Sequence, residues 1–172
     1  MPRYVALLRG VSPMNCKMAE LKACVEAAGY ANVKTLLSSG NVAFDTARKT
    51  GEAALEKKLE AAMQQHLGRG FYTIVRPAAD LQALLDADPF AEFKLPARAK
   101  RVVSFLRAEP KTVPALPLAL SKASILAVRG REILSAYEPG DDSPVFMALI
   151  EKTFGKDITT RTWDTVRKCA AG

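Results

Sequence analysis

The sequence predicts an α+β fold made of two duplicated ferredoxin-like β-α-β-β-α-β halves, each followed by a short helix. Three observations predict it. Apolar runs of strand length alternate with stretches of helical spacing. Glycine-bearing breaks separate neighbouring strand runs in a way that suits hairpins. The order of elements in the first half returns in the second. A chain of 172 residues, 49% hydrophobic and 25% charged, is long enough for one good core or for two small ones.

In chain order, RYVALLRG has the branched apolar content of a strand, and from Lys17 the residues Met18, Leu21, Val25 and Ala28 recur at helical spacing until Gly29 stops them. NVKTLLS and NVAFDT are strand runs separated by Ser39-Gly40, a turn pair suited to a hairpin. From Gly51 an amphipathic helix carries Leu55, Leu59, Ala62, Met63 and His66 on one stripe and closes at Gly68. FYTIVRP reads as a fourth strand, ended by Pro77. A short helix follows, with Leu81, Leu84 and Leu85 on one side and a stop at Asp88-Pro89. This is the split ferredoxin-like order, whose antiparallel sheet carries both helices on one face.

AEFKLPARAK is polar and proline-bearing and reads as a joint, which assigns the halves to residues 1–90 and 98–172. In the second half RVVSFLRA is a strand, and the proline-rich PKTVPALPLALS occupies the place of the first helix. SILAVRG and REILSAYEP form a hairpin about Gly130. SPVFMALIEKTFG is a helix with Ser143 as N-cap, Pro144 in the first turn and Phe146, Leu149, Ile150 and Phe154 as its stripe. DITT is the closing strand, and RTWDTVRKCA is a final helix matching AADLQALLDA in the first half. The duplication rests on element order, since no repeat is visible at the level of residues.

Twenty-five Lys and Arg against eighteen Asp and Glu give a formal charge of +7, which favours anionic partners such as phosphorylated small molecules or nucleic acid. The cations are scattered, so most of them read as solvated surface. No apolar run approaches the ~20 residues of a membrane helix. Met1-Pro2-Arg3 leads straight into YVALLRG without the apolar stretch of a signal peptide, so a cytoplasmic protein with no membrane partner is expected. Cys16, Cys24 and Cys169 are odd in number, lack C-x-x-C spacing and accompany a single histidine. Neither a disulfide framework, a metal site nor a cofactor is suggested.

The segment ALLRGVSPMNCKMAELKACVEAAGYANVKTLLSSGNVAF resembles a bacterial family of uncharacterised proteins, domain of unknown function 1697, whose members carry ALLRGINVGG and TYIQSGNV near the start and TTRNWNTV near the end. The shared residues include Arg9-Gly10, Lys17-Met18, Glu20-Leu21, Gly29, Asn32-Val33, Thr35 and Ser39-Gly40-Asn41-Val42. TTRTWDTV supplies Thr159, Thr160, Arg161, Trp163, Thr165 and Val166, and DADPF at 86–90 is similar to a mid-chain signature. The resemblance spans nearly the whole chain and implies a two-part α+β fold; it implies no activity. Two departures stand out. Ser12-Pro13-Met14 replaces the family's glycine pair, which removes backbone freedom from the loop, and Thr162 replaces an asparagine.

Three segments are candidate sites. The loop before the first helix offers backbone N–H groups with Arg9, Asn15 and Lys17, a set able to bind phosphate or carboxylate, although short connections of this kind are also ubiquitous. In SSGNV, Ser39 and Asn41 carry groups that suit a ligand, but the same residues are those a hairpin turn selects. Arg161 is a bidentate anion partner by chemistry, while Thr160 or Thr162 caps a helix and Trp163, Val166 and Ala170 face a core. His66, on an apolar stripe, reads as packed or half-buried, and Cys16 beside Lys17 is the one thiol with reason for a lowered pKa, although its more ordinary role is that of a small loop residue.

An RNA-recognition motif is unlike this sequence, because SGNVAFDT lacks the aromatic positions of the third strand. The leading expectation is a cytoplasmic protein that binds an anionic ligand through Arg9, Lys17 and Arg161. One alternative is an enzyme acting on a phosphorylated or carboxylated metabolite in a cleft between the halves. Another is a protein-interaction subunit.

Overall fold

The computed structural model describes residues 1–120, 122–139 and 142–172, the side chains of 142–144 excepted. By its contacts the chain divides into two units, Met1–Asp86 together with Arg167–Gly172, and Ala87–Val166. The fold is α+β, and the described residues form two antiparallel sheets and five α-helices.

The first unit runs β1 (Arg3–Leu8), α1 (Met18–Ala27), β2 (Ala31–Leu36), β3 (Asn41–Asp45), α2 (Glu52–Leu67), β4 (Thr73–Pro77) and α3 (Ala78–Ala87). Its sheet has the order β2-β3-β1-β4, antiparallel throughout, with Val5 opposite both Ala43 and Arg76. The pleat sends alternate residues to opposite faces. Tyr4, Ala6 and Leu8 join Val42, Phe44 and Val75 in a core shared with Leu21, Cys24 and Val25 of α1 and Leu55, Leu59 and Met63 of α2. Val5, Leu7, Ala43 and Ile74, on the other face, are buried as well. Strand β4 is an edge strand, and the backbone N–H of Val75 is met by the buried Glu56 carboxylate at 2.9 Å. That bond accounts for an acid on the buried side of α2, where an unpaired amide would be costly.

Arg3 ties the opening strand to three other segments. Its Nη1 donates to Asp45 Oδ1 at 2.9 Å and to the Asn32 carbonyl at 3.1 Å, and its Nε donates to the Gly172 carbonyl at 2.8 Å. Asn32 Nδ2 also donates to Asp45 Oδ2, at 2.7 Å. These bonds, Asn32's first and then Arg3's, hold the Asp45 carboxyl below its ordinary range. A folded-state pKa below the unfolded one stabilises the protein at neutral pH, and that contribution is lost as pH falls below about 4, the unfolded value, and through the lower folded one. In urea denaturation from about pH 6 to 3, the wild type should therefore lose more stability than Asp45→Asn. Parallel losses in the two proteins would remove Asp45 from the acid response.

The second unit holds β5 (Lys100–Leu106), β6 (Leu118–Leu120), β7 (Ala123–Arg129), β8 (Glu132–Tyr137), α4 (Asp142–Phe154) and β9 (Ile158–Thr162), and α5 (Trp163–Ala171) begins in it. The sheet order is β6-β7-β8-β5-β9, again antiparallel. The proline-rich segment, whose sequence left open whether it forms the first helix of this half, forms none; its described residues run irregularly through a cis Leu116–Pro117 peptide into β6, which pairs with β7. Pro110, Pro114 and Pro117 recur within every turn a helix would need, each lacking an N–H and crowding the preceding turn.

Phe146, Leu149 and Ile150 of α4 pack on Val102, Leu106, Ile125, Ile133 and Ile158. Ser143, read as the N-cap of this helix, has a side chain outside the described residues. Strand β9 continues to Thr162, so Arg161 belongs to the strand and α5 starts later than RTWDTVRKCA suggests. The Thr162 hydroxyl accepts the Thr165 N–H at 3.3 Å and caps that helix. Trp163 meets Phe90 edge-to-face with ring centres 5.0 Å apart.

Candidate functional site

Three connections meet at one end of the first sheet. Antiparallel pairing sets Leu8 opposite Thr73, so the β1–α1 loop and the α2–β4 loop leave the sheet together. The Arg9 N–H donates to the Tyr72 carbonyl at 2.8 Å, and the Leu8 N–H donates to the Gly40 carbonyl at 2.9 Å, which adds the β2–β3 turn. Gly40, at φ +84°, lies so close to Val11 that a Cβ on it would sit 2.9 Å from the valine Cβ. This end carries Arg9, half-buried, with Lys17 and Arg69, both exposed. Lys17 is the residue before α1, in extended conformation. The Arg69 guanidinium lies 4.7 Å from the centre of the Phe71 ring.

Cys16 probes the local charges. Its thiol is pushed up, by burial first and the Glu20 carboxylate second, while Arg69 pulls the other way. The expectation of a lowered Cys16 pKa is thereby corrected: the thiol faces the α1–α2 core, where burial outweighs nearby cations. Cys24 is raised as well, mainly by burial.

The polar residues read as ligand donors are engaged in the loops themselves. Asn15 Nδ2 donates to the Gly10 carbonyl at 2.8 Å, and its Oδ1 accepts the Ser12 N–H at 2.9 Å, so the side chain braces the β1–α1 loop. Asn41 is fully buried, and its Nδ2 donates to the Leu36 carbonyl and to Ser39 Oγ at 2.9 and 3.0 Å. Both asparagines hold shape, while Ser38 and Ser39 remain exposed in the turn. His66 is exposed rather than packed. With Glu20, Ala23, Cys24, Ala27 and Leu67 it lines a groove of about 480 Å³ between α1 and α2.

Arg161 lies in the second unit. It is 8% exposed, and its Nη1 donates to Thr159 Oγ1 at 2.6 Å and to the Thr160 carbonyl at 2.9 Å. Sequence reasoning missed its counterpart. Arg76 holds the same fourth place in β4 that Arg161 holds in β9; it is fully buried, and its Nη1 donates to the Val75 carbonyl at 3.2 Å. The available signal was an arginine at the end of each closing strand, immediately ahead of a helix. Arg69 was also missed, although its place between Gly68 and Gly70 marks it as a loop residue.

Among the described residues, no three His, Cys, Asp or Glu side chains are grouped as metal ligands would be. No helix of those residues is long and apolar enough to cross a membrane. Nothing among curated proteins matches the chain. Among solved structures, a conserved bacterial protein from Streptococcus pneumoniae, SP0830, superposes with a TM-score of 0.71 at 22% identity, over 99% of this chain and 97% of that one. The two share a fold. A family model described as a protein of unknown function (DUF1697) matches residues 1–133, the stretch that holds all three connections just described, and the chain belongs to that family.

Proposed function

We propose that this protein is a cytoplasmic binding protein for an anionic ligand, a phosphorylated small molecule or nucleic acid, held by the connections at the end of its first sheet. The observation that carries the reading is the junction of three loops, two of which bear Arg9, Lys17 and Arg69, where Glu20 is the acid in the adjoining helical turn. Backbone hydrogen bonds and the Asn15 brace hold the loop backbone, so little ordering of the main chain is left to do on binding. Arg161, buried in the second unit, is left out of the site.

The reading includes the finer architecture. Each sheet contains the ferredoxin-like strand order, β2-β3-β1-β4 in the first unit and β7-β8-β5-β9 in the second, which supports a duplicated ferredoxin-like protein whose second copy has exchanged its first helix for β6.

Titration with inorganic pyrophosphate and with a mixed-sequence single-stranded oligonucleotide at low salt tests the function. The wild type should bind at least one, and Lys17→Glu combined with Arg69→Glu should weaken it at least about tenfold with little change in Tm. Equal binding by both proteins, or no binding to either probe, would overturn the reading.

A further inference from the structure

Two apolar side chains stand in water at the same end. Met14 is 97% exposed on the β1–α1 loop, and Leu37 is 49% exposed in the β2–β3 turn. The loops are joined through the Leu8–Gly40 bond and the close approach of Val11 to Gly40, so the two residues stand on adjoining loops. Leu37 also adopts φ +60°, a backbone region leucine avoids, and Asn15, next to Met14, is locked by its own hydrogen bonds. Two apolar side chains are thus held out on braced loops at the end that carries the cations.

We propose that this surface docks single-stranded nucleic acid, with Arg9, Lys17 and Arg69 neutralising phosphates and Met14 and Leu37 lying against unstacked bases. The proposal rests on the anion-binding reading above and names its ligand. Shape and chemistry favour a strand over the other anions. A small phosphorylated ligand needs a concave site that excludes water, whereas a side chain as exposed as Met14 projects from the surface. An anionic membrane would satisfy the cations, but inserting this tip would carry the exposed Ser38 and Ser39 into hydrocarbon beside Leu37. A flexible strand offers phosphates, hydrogen-bonding edges and apolar base faces together, and the methionine and leucine side chains that wedge between the steps of a kinked duplex would meet the same base faces in an unstacked strand.

The experiment measures anisotropy of labelled single-stranded RNA and DNA across a salt series, with duplex DNA, pyrophosphate and phosphatidylserine vesicles as parallel arms. Single strands should bind with log affinity falling by about 2 per decade of salt, as three neutralised phosphates require. Lys17→Glu should flatten that slope by about one. Met14→Ser should leave the slope alone and weaken binding about fivefold, the loss of a partly buried apolar contact. All three proteins should share one Tm, since the altered side chains are exposed. Binding to pyrophosphate alone overturns the strand and leaves the anion site standing, whereas silence in every arm overturns both. Vesicle binding without strand binding assigns the surface to a membrane. A slope or affinity unmoved by both substitutions would show that nucleic acid binds elsewhere on the chain.

Discussion

Replacing Phe44 with alanine is expected to cost about 3–5 kcal/mol, the usual loss for an aromatic core residue and a large part of the stability of a typical domain. Phe44 is fully buried at the centre of the first sheet. Its ring lies 6.1 Å from that of Tyr4 and 4.8 Å from that of Tyr30, which in turn receives the Lys58 ammonium at 5.1 Å. Truncation removes the apolar burial and leaves a cavity between sheet and helices that the Tyr4 ring cannot close. The Tyr4 hydroxyl is tethered, donating to the Thr50 carbonyl at 2.9 Å and accepting the Thr50 N–H at 3.1 Å. Urea denaturation should show a lower midpoint at an unchanged m-value, and Phe44→Leu should recover more than half of the loss. A cost below about 1 kcal/mol would mean that the core collapses freely around the gap.

Gly40→Val is expected to be nearly as damaging, for a different reason. A β-branched residue at φ +84° carries about 1–2 kcal/mol of backbone strain, and its Cβ would meet Val11 Cβ and Cγ2 at 2.9 Å and Leu8 Cβ at 3.0 Å. Overpacking of that kind adds about 1–3 kcal/mol. Gly10 is the control, because it has φ +80° and nothing within 4 Å of its virtual Cβ. Gly10→Ala should therefore show the strain alone in thermal denaturation, while Gly40→Ala shows strain and contact together. Equal losses at the two positions would mean that Val11 gives way without cost. Gly40→Val should also weaken anion binding, since Val11 can retreat only by moving the loop that carries Arg9 and Lys17.

Much of the first unit was legible because its segments declare their own periods. The spacing of Leu21 and Val25 and the breaks at Gly29 and Gly68, both at positive φ, are local signals that the structure repeats. The proline-rich segment was illegible for the opposite reason: the parallel with the first half asked for a helix, and three prolines denied it. Asn15 and Asn41 have the chemistry of ligand donors, and only the fold reveals that neighbouring backbone groups consume them. Arg76 was hidden, as was the burial of Arg161, because arginine reads as a surface residue until three-dimensional packing encloses it. Met14 and Leu37 left no mark in a hydropathy pattern, since an exposed apolar residue looks the same in sequence as a buried one.

The Arg3 clamp also bears on how the chain is made. Arg3 leaves the ribosome well before the Gly172 carbonyl it holds, with the whole second unit translated between them, and Gly172 lies against the side chain of Leu36. The first unit is thus discontinuous, interrupted by the whole of the second. At the ordinary pace of synthesis, its sheet waits several seconds or more with Leu36 and Arg3 lacking their final partners. The second unit, continuous in sequence, is complete before the first is closed, so the strand that opens the first unit gains its last partner only after its neighbour has been made.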